Sequence, residues 1–294
     1  MSKSSVKSDS CTLFSAIIME TFFNPSSVAI VGATEKSGSL PGIILKNILD
    51  IGYRGRIYPV NPKYKTVFGL PCFPSLLDIP GEVALTVIAI PAQSVLNVLE
   101  QQARKKIGHA IIISAGFREM GNEGIEMEEK LKQVALDNHI RILGPNCLGT
   151  MDNYAHFTTS FLPHERVSKP KKGAVSILSQ SGAFAVAVLD LAAQEGLGIA
   201  RMANYGNRID VGESDLLPFL SDDDNTRVVA IYMESVDHGL KFIEAATACS
   251  RKKPIVALKV GKGAAGIAAA KSHTGAIAGK YEIYKAAFIK SGII

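Results

Sequence analysis

Four short stretches of this chain hold residue types that could do chemistry. Near the C-terminus, "AAAKSHTGAIAGK" (268–280) sets His273 among alanine, glycine, serine and threonine. Such a run is either a small-residue turn that happens to hold a histidine, or a segment kept bare so that something large reaches the ring. In "IYMESVDHG" (231–239), Glu234 lies just past an apolar run. That places a carboxylate at the end of an expected strand, where open α/β sheets gather ligands. In "ILSQSGAFAVAVLDLAAQEG", an apolar run turns through Ser179, Gln180, Ser181 and Gly182 into a long helical pattern. The first N–H groups of a helix have no intrahelical partner, so the turn suits phosphate. It suits a plain N-cap serine as well, worth about 1 kcal/mol. Finally, "VGATEKSGS" (31–39) offers Gly32 and Gly38 in a GxxxxxG spacing. Glycines there let backbone N–H groups approach a phosphate, yet the spacing is not GxGxxG and equally fits a tight strand–helix turn.

The elements that must position these residues form two α/β series. Apolar runs at 27–33, 56–62, 84–91, 109–116 and 140–146 are short, rich in Ile and Val, and closed by Gly, Pro or Asn. Buried parallel strands read this way. Helical patterns such as "AQSVLNVLEQQARKKI" and "GIEMEEKLKQVALDNH" separate them. The expected product is a doubly wound domain of nucleotide-binding type. The segment 153–172 has no sustained period and collects Pro, Ser and Lys, so the domain boundary is placed there. A second series follows at 174–182, 198–206, 227–235 and 254–261, with a final incipient "GII". The expected division is a disordered leader at 1–19, a first domain at 20–152, a linker at 153–172 and a second domain at 173–294.

Composition narrows the function classes. The 294 residues are 47% hydrophobic and 20% charged, with a net charge of +5. That describes a soluble globular chain long enough for two domains. The charge is too small and too scattered to point to nucleic acid, but leaves room for anionic small molecules. No run approaches the ~20 apolar residues that span a bilayer. Cys11, Cys72, Cys147 and Cys249 lie far apart, as reduced thiols of a cytoplasmic protein would, with no metal or disulfide framework. The "SDDDN" cluster (221–225) reads as a solvated helix end, because no spaced carboxylate ladder accompanies it. His109, His139, His156, His164 and His238 read as surface or structural. "YPVNPKY" places Asn61, Pro62 and Lys63 where an NAD-binding domain puts its ribose carboxylate, which disfavours NAD and favours a more phosphorylated ligand.

Taken together, "NPSSVAIVGAT", "YPVNPKYKTVFGLPCFPSL", "ISAGFRE" and "LGPNCLG" resemble the CoA-binding domain of NDP-forming acyl-CoA synthetases. That family includes ADP-forming acetyl-CoA synthetase and is related to the succinyl-CoA synthetase α subunit. "KSHTGAIAG" resembles the family segment that carries a phosphorylated histidine, and Glu234 matches the glutamate paired with it. The resemblance covers about residues 20–294 and implies a Rossmann-like CoA-binding domain followed by a flavodoxin-like domain. It implies that Gly32, Ala33, Thr34, Lys63, Pro91 and Ser114 line a CoA groove. It also implies that Gln180, Ser181 and Gly182 open a helix facing the phosphohistidine. Pro41, at the start of the first helix, departs from the family pattern, but a first helical turn tolerates proline.

The chemistry is consistent with that implication. Phosphorylating an imidazole needs a neutral ring nitrogen, space for in-line attack and a group that orients the ring. Small neighbours give His273 the space, and Glu234 is the orienting carboxylate. The implied reaction joins a small carboxylic acid to CoA at the expense of ATP, giving ADP and phosphate. No ATP-grasp module is visible in the sequence, so ATP, ADP and Mg2+ are expected on a β-type partner subunit or domain, in a hetero-oligomer. The family usually continues past "SGII", so the chain is expected to be a short α-type subunit, a split gene product or a truncated fragment. Rival readings are a non-catalytic CoA-binding module, a Rossmann-type oxidoreductase and an acyltransferase relative.

Overall fold

The computed structural model of the chain describes residues 19–162, 168–262 and 281–294. His273 and its neighbours, His164, Cys11 and residues 1–18 of the expected leader lie outside the described residues. Met19, the last residue of that expected leader, is instead buried in the core beside Phe22 and Phe23.

The five apolar runs of the first series form five parallel strands. These are β1 (Ser27–Val31), β2 (Arg56–Val60), β5 (Leu85–Ile88), β6 (His109–Ile112) and β7 (Arg141–Leu143). A two-residue hairpin, β3 (Thr66–Val67) and β4 (Leu70–Pro71), interrupts them. The order is β2-β1-β5-β6-β7, so the sheet reverses direction between β1 and β5. Helices α1 (Leu40–Asp50), α2 (Ala92–Arg104) and α3 (Asn122–Asp137) make the crossovers. Pro41 sits in the first turn of α1, where its missing N–H costs nothing.

The second sheet orders six strands β13-β12-β10-β11-β8-β9. Its parallel part is β10 (Lys172–Ser179), β11 (Ile199–Asn204), β12 (Val228–Met233) and β13 (Ile255–Lys259). The other two, β8 (Gly149–Asp152) and β9 (Phe157–Thr158), are antiparallel. The chain therefore joins the second sheet from Gly149, ahead of the irregular 153–172 segment. Helices α4 (Gly182–Gln194), α5 (Glu213–Asp222), α6 (Gly239–Ser250) and α7 (Tyr281–Ser291) flank this sheet. The final "GII" does pair. The Ile294 N–H donates to Ile255 O at 2.9 Å, and the Ala257 N–H to Ile294 O at 2.8 Å. The direction of this sheet reverses between β10 and β12.

One buried cluster runs through both domains, from Ile30 and Leu85 to Leu178, Tyr205 and Phe219. Arg201 crosses it, pairing with Asp152, Asp223 and Glu20 and lying over the Phe23 and Phe219 rings. Asp223 therefore corrects the reading of "SDDDN" as wholly solvated, because its side chain is 5% exposed and paired. A buried arginine needs such partners, since an unpaired charge there is costly. Among the described residues, no helix is long and apolar enough to cross a membrane.

Candidate functional site

Both sheets reverse at a point that sequence periodicity does not reveal, and several of the described candidate residues lie at these reversals. In open α/β sheets, the crevice beyond the carboxyl ends of the strands flanking such a reversal is the usual ligand position. Gly32 ends β1 and adopts φ +96°. Its N–H donates to Val60 O at 2.9 Å. A Cβ there would stand 2.7 Å from Ala89 O, because the β1 and β5 ends close tightly. Asn61, at the end of β2, donates to Ala33 O at 2.9 Å and accepts the Lys63 N–H at 3.0 Å. The residue standing where a ribose carboxylate was sought thus braces the glycine loop. Thr34 is buried, and its hydroxyl lies 3.2 Å from the Tyr64 hydroxyl.

Ser114, at the end of β6, has its hydroxyl committed to Ile90, donating to the carbonyl at 2.5 Å and accepting the N–H at 3.2 Å. It braces the turn that leads to exposed Pro91, the N-cap of α2. Gly32, Ala33, Thr34, Pro91 and Ser114 are thus tied to one mouth, while Gly38 and Lys63 sit in flanking exposed loops. Lys36, Lys63 and Lys65 are all exposed around the mouth. Their charge and the small Gly32–Ala33 floor fit a polyphosphate ligand such as CoA.

The second mouth lies between the ends of β10 and β12. Ser181 is the N-cap of α4, its Oγ accepting the Phe184 N–H at 3.3 Å. The capping reading of this serine is realised, and the other first-turn N–H groups remain outside the helix ladder. Gln180 points across the mouth. Its Oε1 accepts the N–H groups of Glu234 and Ser235, the latter at 2.9 Å, and its Nε2 reaches Ser235 Oγ at 3.4 Å. This amide therefore joins the phosphate-type turn to the carboxylate loop. Glu234 is 3% exposed. Burial, and then the charge and hydrogen bond of Glu234, push the Tyr232 phenol up. Burial pulls the Lys259 ammonium down, and Glu234 partly holds it up. The Glu234 side chain thus has the Tyr232 phenol and the Lys259 amine as neighbours. Gly182 half-buries against Leu148 and Asn204.

Two loops bring the mouths together. "GPNCLG" (144–149) leaves β7 with the Asn146 N–H donating to Ser114 O at 2.9 Å. It reaches the second sheet where the Leu148 N–H donates to Asn204 Oδ1 at 2.7 Å. "YGNRIDVG" (205–212) runs back along the edge of β7, with Ile209 N–H on Gly144 O and Val211 N–H on Ile142 O. Asn207 and Asp210 are ties between the domains. The Asn207 amide donates to Glu119 at 2.7 Å and to Glu128 at 2.6 Å, and Asp210 accepts from Arg141 Nε at 2.9 Å.

Burial pushes the Glu119 carboxyl up, but Asn207 and the N–H groups of Gly116 and Phe117 outweigh it and hold it below its usual range. Sequence reasoning missed Glu119, Glu128 and Arg208 as seam residues. For Arg208 the available signal was a long charged side chain in the short 205–212 loop, whose other charged residue is Asp210. A polar cleft of about 280 Å³ opens at this seam, lined by Arg118, Lys132, Arg208, Glu213, Asp237 and Lys241 among others.

Comparison with known proteins bears on both domains. Residues 26–153 match the model of a CoA binding domain, and residues 172–294 that of a succinyl-CoA ligase like flavodoxin domain. The chain is 43% identical over 276 residues to acetate–CoA ligase [ADP-forming] I of Archaeoglobus fulgidus, covering 94% of itself and 39% of that protein. It is 40% identical over 280 residues to the α subunit of acetate–CoA ligase [ADP-forming] I of Pyrococcus furiosus, covering 94% of itself and 60% of that subunit. Its fold superposes with TM-score 0.88 and 38% identity on acetyl-coenzyme A synthetase 1 of Ca. Korarchaeum cryptofilum, solved with phosphate and ADP. That match covers 94% of this chain and 59% of the solved one. The chain thus spans less than two thirds of the length of each of these relatives.

Proposed function

We infer from the chain's membership of the NDP-forming acyl-CoA synthetase family, to which it belongs by both of its domains, that it is the α-type part of an acid–CoA ligase. The reaction is acid + CoA + ATP ⇌ acyl-CoA + ADP + phosphate, with acetate or a related small acid as substrate. The observation that carries the mechanism is the Gln180 bridge, which locks the Ser181 turn to Glu234 across the reversal of the second sheet. Residues 20–152 hold CoA at the Gly32–Thr34 loop, with Gly38, Lys63, Pro91 and Ser114 completing or bracing the groove.

Read towards ATP, a phosphate oxygen attacks the thioester carbonyl, and the CoA thiolate leaves and takes up a proton. His273 then attacks the phosphorus of the acyl phosphate, and the carboxylate departs. Ser181 and Gly182 present backbone N–H groups, and Gln180 its side-chain amide, to the transferring phosphoryl group. Glu234 takes the proton-bearing ring nitrogen, fixing the tautomer and stabilising the charged ring. The phosphoryl group passes to ADP on an ATP-grasp β-type partner, which also holds Mg2+. The assembly is a cytoplasmic hetero-oligomer.

The test is to mix the chain with the ATP-grasp partner and γ-labelled ATP. The chain becomes phosphorylated in an acid-labile, base-stable form, and His273→Ala abolishes the label. Equal labelling of His273→Ala refutes the histidine assignment. CoA binding without any label in wild type favours the non-catalytic CoA module.

A further inference from the structure

We propose that Arg208 is a positioning residue for Glu234, holding the carboxylate loop against the domain seam. The proposal rests on the phosphohistidine reading given above. Arg208 is 8% exposed and adopts φ +57°. Such a backbone angle is unfavourable for a residue with a long side chain and persists only where the surroundings impose it. What it gains is a full set of partners. One edge of the guanidinium forks onto Asp237, at 2.6 and 3.2 Å. Nη1 donates to Ser235 O and to Glu213, both at 2.9 Å, and Nη2 reaches Ser235 Oγ at 3.3 Å.

Ser235 and Asp237 lie one and three residues after Glu234. From the other side, Gln180 accepts the N–H groups of Glu234 and Ser235. The loop is therefore clamped between the end of β10 and the end of β11. Remove the guanidinium and, among the described residues, the loop keeps Gln180 on one side and the Tyr284 hydroxyl on the Val236 N–H. With one of its ties gone the loop shifts, and catalytic groups displaced by about 1 Å lose up to ~100-fold in rate. Arg208 is also directly bonded in sequence to Asn207, which is anchored on Glu119 and Glu128 of the first domain. The Glu234 loop thereby takes its reference from the CoA-binding domain as well as from its own sheet.

The experiment compares wild type with Arg208→Lys, Arg208→Met and Arg208→Met/Glu213→Gln, each with the ATP-grasp partner and γ-labelled ATP. The double variant avoids stranding the buried Glu213 carboxylate. Labelling of His273 is expected to slow about tenfold or more in the Met variants, a loss in kcat with KM for ATP and the Kd for CoA changed less than about twofold. Arg208→Lys keeps the charge opposite Glu213 but loses the fork on Asp237, so its rate falls between.

A folded Met variant, single or double, labelled at the wild-type rate overturns the proposal, as does an Arg208→Lys rate equal to wild type. If wild type itself takes no label, the proposed function fails instead. Amide exchange of Glu234 and Ser235 then decides the matter. Exchange about tenfold faster in the double variant upholds the clamp, and unchanged exchange overturns it.

Discussion

Replacing Gly206 with alanine tests whether the seam between the domains is as closely packed as the structure shows. Gly206 sits at φ +51° in the loop that runs back to the first domain. A Cβ added there would stand 2.2 Å from Asn146 O and 2.4 Å from Pro145 O, both backbone atoms. Neither can rotate away. Pro145 O accepts the Asn207 N–H at 2.9 Å, and the Asn146 N–H is bonded to Ser114 O. The left-handed backbone alone costs alanine about 1–2 kcal/mol. Overpacking against a fixed neighbour adds about 1–3 kcal/mol. Since each kcal/mol shifts Tm by about 2–4 °C in a chain of this order of size, a loss of roughly 4–20 °C is expected.

The control is Gly38→Ala, at φ +73° with nothing within 4 Å of an added Cβ. It carries the backbone term without the clash. Scanning calorimetry of both variants, with exchange measured over residues 142–149, separates the two terms. The seam argument fails if Gly206→Ala melts with Gly38→Ala or above it, or if its 142–149 amides stay as protected as in wild type.

Two further outcomes follow from the same contacts. Gln180→Glu keeps an oxygen acceptor for the Glu234 and Ser235 N–H groups but buries a second carboxylate, so the fold should persist with a lowered Tm. It places a second carboxylate beside Glu234 and the transferring phosphate, and labelling of His273 should fall about tenfold or more. A variant that labels normally would show that Gln180 does not face the phosphoryl group. Asn207→Ala should flatten the acid limb of stability. The folded Glu119 carboxyl lies below its ordinary 4.5, so its stabilisation is complete above that pH and disappears as pH falls through the lower, folded value. Urea midpoints measured from neutral pH down through this range should converge for wild type and variant at the acid end. Parallel curves would refute the assignment.

Much of this protein was legible in one dimension. Short apolar runs closed by Gly, Pro or Asn located the described parallel strands, because strands covered by helices carry near-continuous apolar residues. The incipient "GII" was legible for the same reason. Ser181 announced its helix start, and Glu234 its position at a strand end, since capping and strand termination are local. The resemblance named both domains, and the comparisons agree with it.

Other features depended on the order in which the strands lie side by side. Only that order makes the β1–β5 and β10–β12 gaps reversal points, and it turns Gly32 and Glu234 from loop residues into neighbours of a crevice. The commitment of Ser114 to Ile90, and of Asn61 to Ala33, is a matter of which backbone groups the fold leaves unpaired. Arg208 shows the limit most plainly. In sequence it is a loop arginine two residues from Asp210, because its partners Ser235 and Asp237 arrive from another strand end. Local propensity is written in neighbouring residues, whereas the pairing of buried charges is decided only when distant strand ends are brought within hydrogen-bonding distance.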